Sequence, residues 1–289
     1  MGRANKTTSL YSVPSQDYLK QMSMIREPAV AGAFYPGNPD ELGRAVAGYL
    51  DDADTADTGD AAPKVIIVPH AGYIYSGATA GRAFARLKPA ADTIRRVVLL
   101  GPCHRVGVNG LALSSAESFA TPLGTIPIDR EAAARISEMP QVQVFDATHA
   151  QEHSLEVQLP FLQTVLDDFN LLPLVVGDAS PDEVAEVLDT LWGGEETVIV
   201  ISTDLSHFLD YDAARHIDEA TCQAIEALDG DAIGDDQACG HYPLKGLLAL
   251  ARRKGMRIKT LGLCNSGDTA GDKTRVVGYG AWELFEAGS

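Results

Sequence analysis

Short apolar runs rich in Val and Ile alternate with segments whose apolar residues recur at helical spacing. Near-continuous apolar strands separated by amphipathic helices are typical of a sheet that is buried on both faces. The pattern therefore predicts an α/β sandwich, a central sheet flanked by helices. The predicted strands are residues 64–69, 95–101, 171–177, 197–202 and 256–264, with 110–115 and 274–282 as further candidates. The predicted helices are residues 76–87, 129–138, 152–169, 181–192, 211–228 and 243–254.

The first part of the chain has a different pattern. Residues 1–23 are polar and aperiodic, so we expect a disordered N-terminal extension. Residues 24–289 show no internal repeat and no linker, and we expect them to form one α/β domain. A further helix should follow the FYPGNP turn, with Asn38 or Asp40 near its N-cap. The acidic residues of 51–60 indicate a surface loop.

Composition narrows the class of partner. The formal net charge is −17, from 40 acidic and 23 basic residues, which argues against nucleic acid because phosphate binding requires clustered Lys and Arg. No apolar run is long enough to span a membrane, and no signal peptide is recognisable. The four cysteines form no CxxC pair and are expected to be reduced thiols. We therefore expect a cytoplasmic protein without a membrane or nucleic-acid partner.

Three of the histidines stand where predicted strands end. His70 follows residues 64–69, and His104 follows residues 95–101. His207 comes shortly after residues 197–202, together with Asp204. Ligands of α/β proteins bind beyond the carboxyl ends of the strands. The sequence thus predicts a site in which these side chains converge.

Two further segments carry polar residues with two possible roles. In THAQEHSLEVQLPFL (148–162), Glu152, His153 and Ser154 are predicted to open a helix. Glu152 and Ser154 could cap this helix, and the segment could also border a site, since the two roles are compatible. In ACGHYPL (238–244), Cys239 is either a small buried hydrophobe or a thiolate metal ligand.

Two imidazoles and one anionic ligand, with coordination positions left open, suit iron or another divalent transition metal. His70 and His104 could supply the imidazoles. The third ligand could be Cys239, Asp204 or Glu152, and Cys239 would shift the preference toward copper or zinc. His207 near Asp204 would suit a general acid/base oriented by a carboxylate.

Other reaction classes find little support in the sequence. Ser154 follows His153 and Ser206 precedes His207, but neither serine lies in a GxSxG elbow. Neighbours in sequence rarely face each other as a catalytic triad requires. There is also no P-loop and no GxGxxG fingerprint after a strand, so nucleotide binding is not indicated.

Several longer motifs occur in a fixed order from about residue 24 to the C-terminus. They are REPAVAGAFYPG (26–37), VPHAGYIYSG (68–77), LGPCHRV (100–106), EHSLEVQLPFLQ (152–163), STDLSHF (202–208), CGHYP (239–243) and GYGAW (278–282). Together they resemble the MEMO family, whose microbial members are described as component B of the AmmeMemoRadiSam system. The resemblance implies a fold like that of class III extradiol dioxygenases, with a mixed central sheet.

The resemblance also implies roles for particular residues. The family's metal ligands fall on His70, His104 and Cys239, and its acid/base segment falls on Asp204 and His207. Pocket residues would come from the EHS and PHAGY motifs, namely Glu152, His153 and Tyr73. AMMECR-like and radical SAM proteins of the same system would be candidate partners.

Two functions remain open from the sequence. The first is a metal-dependent, dioxygenase-like oxidoreductase that acts on a small molecule, with iron or copper preferred and zinc as a third candidate. The alternative is a non-catalytic binding module whose pocket takes a peptide or a partner protein.

Overall fold

A computed structural model describes residues 24–53 and 62–287. The predicted extension 1–23 and most of the acidic stretch 51–60 lie outside the described residues. The strands are β1 (Ile25–Arg26), β2 (Val65–Val68), β3 (Arg96–Pro102), β4 (Leu111–Leu113), β5 (Ser118–Thr121), β6 (Gly124–Pro127), β7 (Val142–Val144), β8 (Asn170–Val176), β9 (Thr197–Ser202), β10 (His207–Leu209), β11 (Arg257–Asn265) and β12 (Val276–Phe285). The helices are α1 (Pro39–Asp51), α2 (Tyr73–Ala85), α3 (Arg130–Ile136), α4 (Asp146–Ala150), α5 (Leu159–Val165), α6 (Pro181–Leu191), α7 (Tyr211–Glu226) and α8 (His241–Lys254).

The central sheet is mixed, as expected. Its strand order is β10-β12-β2-β9-β3-β8-β4-β7, and β11 pairs with β12. Strands β2, β9, β3 and β8 run parallel, whereas β12 is antiparallel to β2 and β4 is antiparallel to β8. The strands β1, β5 and β6 form a separate three-stranded sheet.

Helices cover both faces of the central sheet. Val65 and Ile67 of β2 pack into a cluster with residues of α3, α6 and α8, while Ile66 and Val68 pack into a second cluster with residues of α1, α2 and α5. Successive residues of a strand point to opposite faces, so four consecutive apolar residues serve both clusters. Burying each such side chain stabilises the fold by about 1.5–3 kcal/mol. The predicted α/β sandwich is confirmed.

The long strands and most helices lie where the apolar pattern predicts them. The helix α1 also begins as predicted, because the Asn38 side chain accepts hydrogen bonds from the backbone N–H groups of Asp40 and Glu41 at 3.0 and 3.1 Å. Across the two described segments, no helix combines the length and hydrophobicity that a membrane crossing requires.

The predicted helix 152–169 is wrong at its start. Residues 151–155 form a turn, residues 156–158 form one 3₁₀ turn, and α5 begins only at Leu159. Pro160 explains the late start, because proline suits the first turn of a helix and lacks the N–H that a helix interior needs. Glu152 and Ser154 are therefore not helix caps, and their polar groups are available for other contacts.

Candidate metal centre

Three histidines meet at the carboxyl edge of the central sheet. His70 follows β2, His104 follows β3, and His153 lies in the turn before α5. One ring nitrogen from each lies within 4.8 Å of the others, a spacing at which they could hold one metal ion. The sequence placed His70 and His104 together as ligands and His153 only in the pocket wall. The structure adds His153 as a third candidate imidazole.

Cys239 lies against the same cluster, in the turn before α8. Its Sγ is 3.2 Å from Nε2 of His70, and it accepts a hydrogen bond from the Asp204 backbone N–H at 3.3 Å. Burial, and to a smaller extent the nearby Asp204 carboxyl, together raise the pKa of the Cys239 thiol to about 12. The sulfur is therefore a thiol unless a cation stabilises the thiolate.

A hydrogen-bond network fixes the tautomer of His70. The Ser202 hydroxyl donates to the Ser154 carbonyl at 2.6 Å and accepts from Nε2 of Gln158 at 2.9 Å. Its one proton is thus used, and toward His70 Nδ1, at 2.9 Å, it can only accept. Nδ1 of His70 therefore carries the ring proton, and the lone pair of Nε2 faces Cys239.

Glu152 fixes the tautomer of His104, as Ser202 does for His70. Its Oε1 lies 2.8 Å from Nδ1 of His104 and 3.5 Å from Nδ1 of His153, and its Oε2 accepts the His104 backbone N–H at 2.6 Å. Burial raises the pKa of Glu152, but the hydrogen bonds and charge of His104 and the Ser154 N–H outweigh it and bring the pKa down to about 2. An ionised carboxylate only accepts, so Nδ1 of His104 donates and Nε2 is left for a ligand.

Asp204 holds the loop of His70 rather than the ring of His207. Its Oδ1 accepts the His70 backbone N–H at 2.7 Å, and burial raises the pKa of this carboxyl to about 7. The expectation that Asp204 orients the His207 imidazole finds no supporting contact among the described residues. Asp204 instead connects the loop that carries His70 with the turn that carries Cys239.

His207 begins β10 and is partly buried beside the cluster. Burial lowers its pKa, a backbone hydrogen bond at Leu205 opposes this, and the charge of His104 lowers it further. The imidazole is therefore neutral near pH 7 and can accept a proton. Its role as acid/base stays a prediction.

Tyr73 is part of the core. Its hydroxyl donates to the Val157 carbonyl at 2.7 Å, and its ring packs against Tyr35, Tyr49 and Phe161. The structure therefore gives Tyr73 a packing role. Phe34 does contact the cluster, and its ring centroid lies 4.7 Å from that of His153.

Three residues of the site were missed in the sequence: Phe34, Gln158 and Ser202. Each had a weak signal. Ser202 is the polar end of an apolar strand, Gln158 interrupts the apolar residues of 155–162, and Phe34 belongs to a motif rich in aromatic residues and glycine. We call His70, His104, His153 and Cys239, with the side chains that fix them, the open cluster.

A second buried polar cluster lies next to it and is centred on Glu156. This carboxylate pairs with Arg26 and accepts hydrogen bonds from the N–H groups of Ala29 and Val30 at 2.7 and 3.0 Å, and from the Tyr35 hydroxyl at 2.6 Å. We call this group the closed cluster, because all four acceptor positions of Glu156 are filled. Nη2 of Arg26 also donates to the Glu152 carbonyl at 2.6 Å.

Comparisons with known proteins identify the family. A family model described as "Memo-like protein" matches residues 26–283. The chain belongs to the MEMO family. This MEMO protein is 35% identical over 272 residues to a MEMO1 family protein of Aquifex aeolicus, with 88% of this chain and 97% of the relative covered. It is 35% identical over 270 residues to one of Methanosarcina barkeri, with 89% and 98% covered.

The MEMO resemblance expected from about residue 24 to the C-terminus is therefore confirmed. A solved structure of an uncharacterised protein from Escherichia coli K12 is also similar, with a TM-score of 0.47 and 12% identity over 76% of this chain and 98% of that chain.

Proposed function

We propose that this MEMO protein is a metal-dependent oxidoreductase that acts on a small molecule. The observation that supports this most directly is the protonation pattern of the open cluster. Ser202 and Glu152 occupy the Nδ1 atoms of His70 and His104, so both Nε2 lone pairs remain for a ligand. The Cys239 sulfur lies 3.2 Å from one of them.

The donor set fits a transition metal. His70, His104 and Cys239 would hold it, with His153 as a further or alternative imidazole. Two or three imidazoles and one thiolate suit iron, copper or zinc rather than magnesium or calcium, which prefer oxygen ligands. A bound iron or copper ion would supply one-electron redox chemistry and open coordination positions for the substrate.

The chain's own residues would prepare the site and move protons. Asp204 fixes the His70 loop through the backbone N–H, and Phe34 covers one side of His153. His207, neutral at pH 7, would accept a proton from a bound hydroxyl group and return it later. None of these roles requires Tyr73, which lies in the core.

Elemental analysis of anaerobically purified protein tests the metal site. We expect near-stoichiometric iron or copper in the wild type, and its loss in His70→Ala and in Cys239→Ala. Cys222→Ala, which alters a buried cysteine of α7, is the matched control and should retain the metal. His153→Ala decides whether the third imidazole is a ligand.

Folded wild-type protein that takes up no metal would contradict the proposal and favour the binding-module hypothesis instead. If metal is bound, oxygen consumption by the iron-loaded protein with a panel of catechols and other small aromatic compounds tests for turnover.

A further inference from the structure

A surface cleft beside the closed cluster takes no part in the proposed function. Its volume is about 380 Å³, and ligand sites commonly measure about 300–1,000 Å³. Its walls are residues 25–29, residues 114–116 and residues of α4. None of the histidines of the open cluster lines it, and neither does Cys239. A ligand in this cleft would therefore not bind the metal that the open cluster could hold.

His149 lines this cleft and has a ring nitrogen without a partner. The residue is buried, with 2% of its surface exposed. Its Nε2 lies 3.0 Å from the Ala112 carbonyl, which can only accept, so Nε2 carries the proton of the neutral ring. The Nδ1 atom keeps a lone pair, and no donor within 24–53 and 62–287 reaches it. Because a buried acceptor without a donor is unfavourable, this atom indicates a place for a donor from outside the chain.

Asp146 lines the same cleft and adds a negative charge. Hydrogen bonds from the Ser114 hydroxyl, the Ser115 N–H and the Ser115 hydroxyl, at 3.1, 2.7 and 2.6 Å, fix its carboxylate. Its Oδ2 accepts only the last of these bonds and retains an acceptor position. No cation in the described part of the chain forms an ion pair with Asp146. One cleft thus contains two acceptors, a carboxylate and an imidazole nitrogen, that do not bind each other.

We propose that this cleft binds a primary alkylammonium group, which donates hydrogen bonds to Asp146 and to Nδ1 of His149. Such a group carries one positive charge and three N–H donors, and it has no acceptor. It therefore supplies the donors and the charge that the two residues lack. Ile25, Pro28 and Ala116 line the same cleft and would cover the alkyl chain. The inference goes beyond the proposed function and does not depend on it.

Three small ligands separate the contributions of charge, N–H donors and alkyl chain. The full-length protein, with ¹⁵N-labelled histidine, is titrated by NMR with butylammonium, tetramethylammonium and butanol. Tetramethylammonium has the charge without an N–H donor, and butanol has the chain without the charge. We expect saturable binding of butylammonium, with an affinity about tenfold above that of either other ligand.

The NMR signal of His149 gives a readout that a purely structural role would not change. Binding of butylammonium should move the ¹⁵N resonance of Nδ1, because an unprotonated nitrogen changes its electron density when it accepts a hydrogen bond. The resonance is assigned by its loss in His149→Gln. Saturable binding that leaves this resonance unchanged would overturn the assignment of His149 to the site.

Asp146→Asn tests the carboxylate. Asparagine keeps an oxygen that can accept the Ser115 N–H, so the variant should remain folded by circular dichroism and bind butylammonium about tenfold more weakly. The matched control is Asp212→Asn, which alters an exposed carboxylate of α7 outside the cleft and should bind like the wild type. Equal losses in both variants would mean that only net charge attracts the amine, and would overturn the inference. If Asp146→Asn does not fold, the three-ligand comparison still decides.

The ammonium group could belong to a free amine or to a lysine side chain of another protein. Nα-acetyl-lysine N-methylamide presents the same butylammonium group on a peptide backbone and distinguishes the two sources. Binding as tight as that of butylammonium would support a lysine side chain, whereas binding of butylammonium alone would support a free amine. If neither ligand binds saturably, or if tetramethylammonium binds as tightly as butylammonium, the inference is overturned.

Discussion

The closed cluster and the open cluster each contain a glutamate from the segment before α5, Glu156 and Glu152, but the two carboxylates are used differently. Glu156 has each of its acceptor positions filled by Arg26, Ala29, Val30 and Tyr35. The Glu152 carboxylate instead accepts a hydrogen bond from Nδ1 of His104, so the Nε2 atom of His104 is unprotonated and keeps its lone pair. One network ends in satisfied groups, whereas the other leaves imidazole nitrogens that could hold a metal ion.

This difference suggests that the closed cluster serves the stability of the fold and the open cluster serves binding. A buried polar network contributes to a unique fold only when its members are satisfied, and the closed cluster meets that condition while joining residues 26–35 to the segment before α5. In the open cluster, the partner of the buried His70 Nε2 is the Cys239 sulfur at 3.2 Å, a weak hydrogen-bonding group, so this network contributes less to stability than the closed one. We therefore expect changes in the closed cluster to act on folding, and changes in the open cluster to act on binding.

The largest effect should come from Glu156→Gln. It leaves the buried Arg26 without its charge partner, so the free energy of unfolding should fall by about 3–5 kcal/mol, measured by urea denaturation. The matched control is Glu219→Gln, which breaks the exposed pair Arg215–Glu219 and should cost under about 1 kcal/mol. If the two changes cost the same, the closed cluster is not a stabilising network.

His149 borders the closed cluster and gives a pH-dependent effect. Burial lowers its pKa from 6.5 to about 4, because the charged imidazole would be desolvated. Between these pH values the unfolded chain binds more protons than the folded one, so His149 favours unfolding as the pH falls from 6.5 toward 4. The protonation of His149 can lower the free energy of unfolding by at most about 3 kcal/mol over this pH range.

The change His149→Gln removes this titration and keeps a donor for the Ala112 carbonyl, which lies 3.0 Å from Nε2 in the wild type. The stability of the variant, measured by urea denaturation at several pH values, should fall less steeply below pH 6.5. The stability of the variant will still depend on pH to some extent, because other buried histidines remain. His216→Gln, which alters an exposed histidine of α7, is the matched control, and equal slopes in all three proteins would contradict the prediction.

Glu152→Gln should have a smaller free-energy effect and a different readout. The amide of Gln can present either its N–H or its oxygen to His104, so it no longer forces Nδ1 of His104 to carry the proton. Metal affinity should therefore drop about 10–100-fold, which competition with a chelator would measure. The variant should remain folded by circular dichroism. Unchanged metal affinity would show that Glu152 does not position His104.

The sequence predicted the fold well because long apolar runs and helix caps are local signals. Strand β9 (Thr197–Ser202) has the predicted bounds, and Asn38 caps α1 as expected. The short strands β1, β5, β6, β7 and β10 were missed, because two to four residues carry too little periodicity. The turn at 151–155 was missed because Leu155, Leu159 and Leu162 recur at helical spacing, which predicts a continuous helix unless Pro160 is taken as part of its first turn.

The site was predicted less completely, for a physical reason. His70 and His104 follow β2 and β3, which both pair in parallel with β9 between them, so their carboxyl ends lie at one edge and the positions of the two histidines could be inferred. The role of Ser202 depends on hydrogen bonds with three groups that lie 44 to 132 residues away from it in the chain. Asp204 accepts a hydrogen bond from a backbone N–H, a group that every residue except proline has. The sequence therefore could not show that Asp204 binds this N–H rather than the His207 ring.

The contact between Cys239 and His70 joins two positions that are 169 residues apart in the chain. An ion held by both would act as a cross-link that exists only in the folded protein, and it would stabilise that state in proportion to the logarithm of its concentration above the dissociation constant. Protein starved of metal would then open more often and be degraded faster by proteases. The supply of such a metal in the cell would thus affect how long each molecule survives.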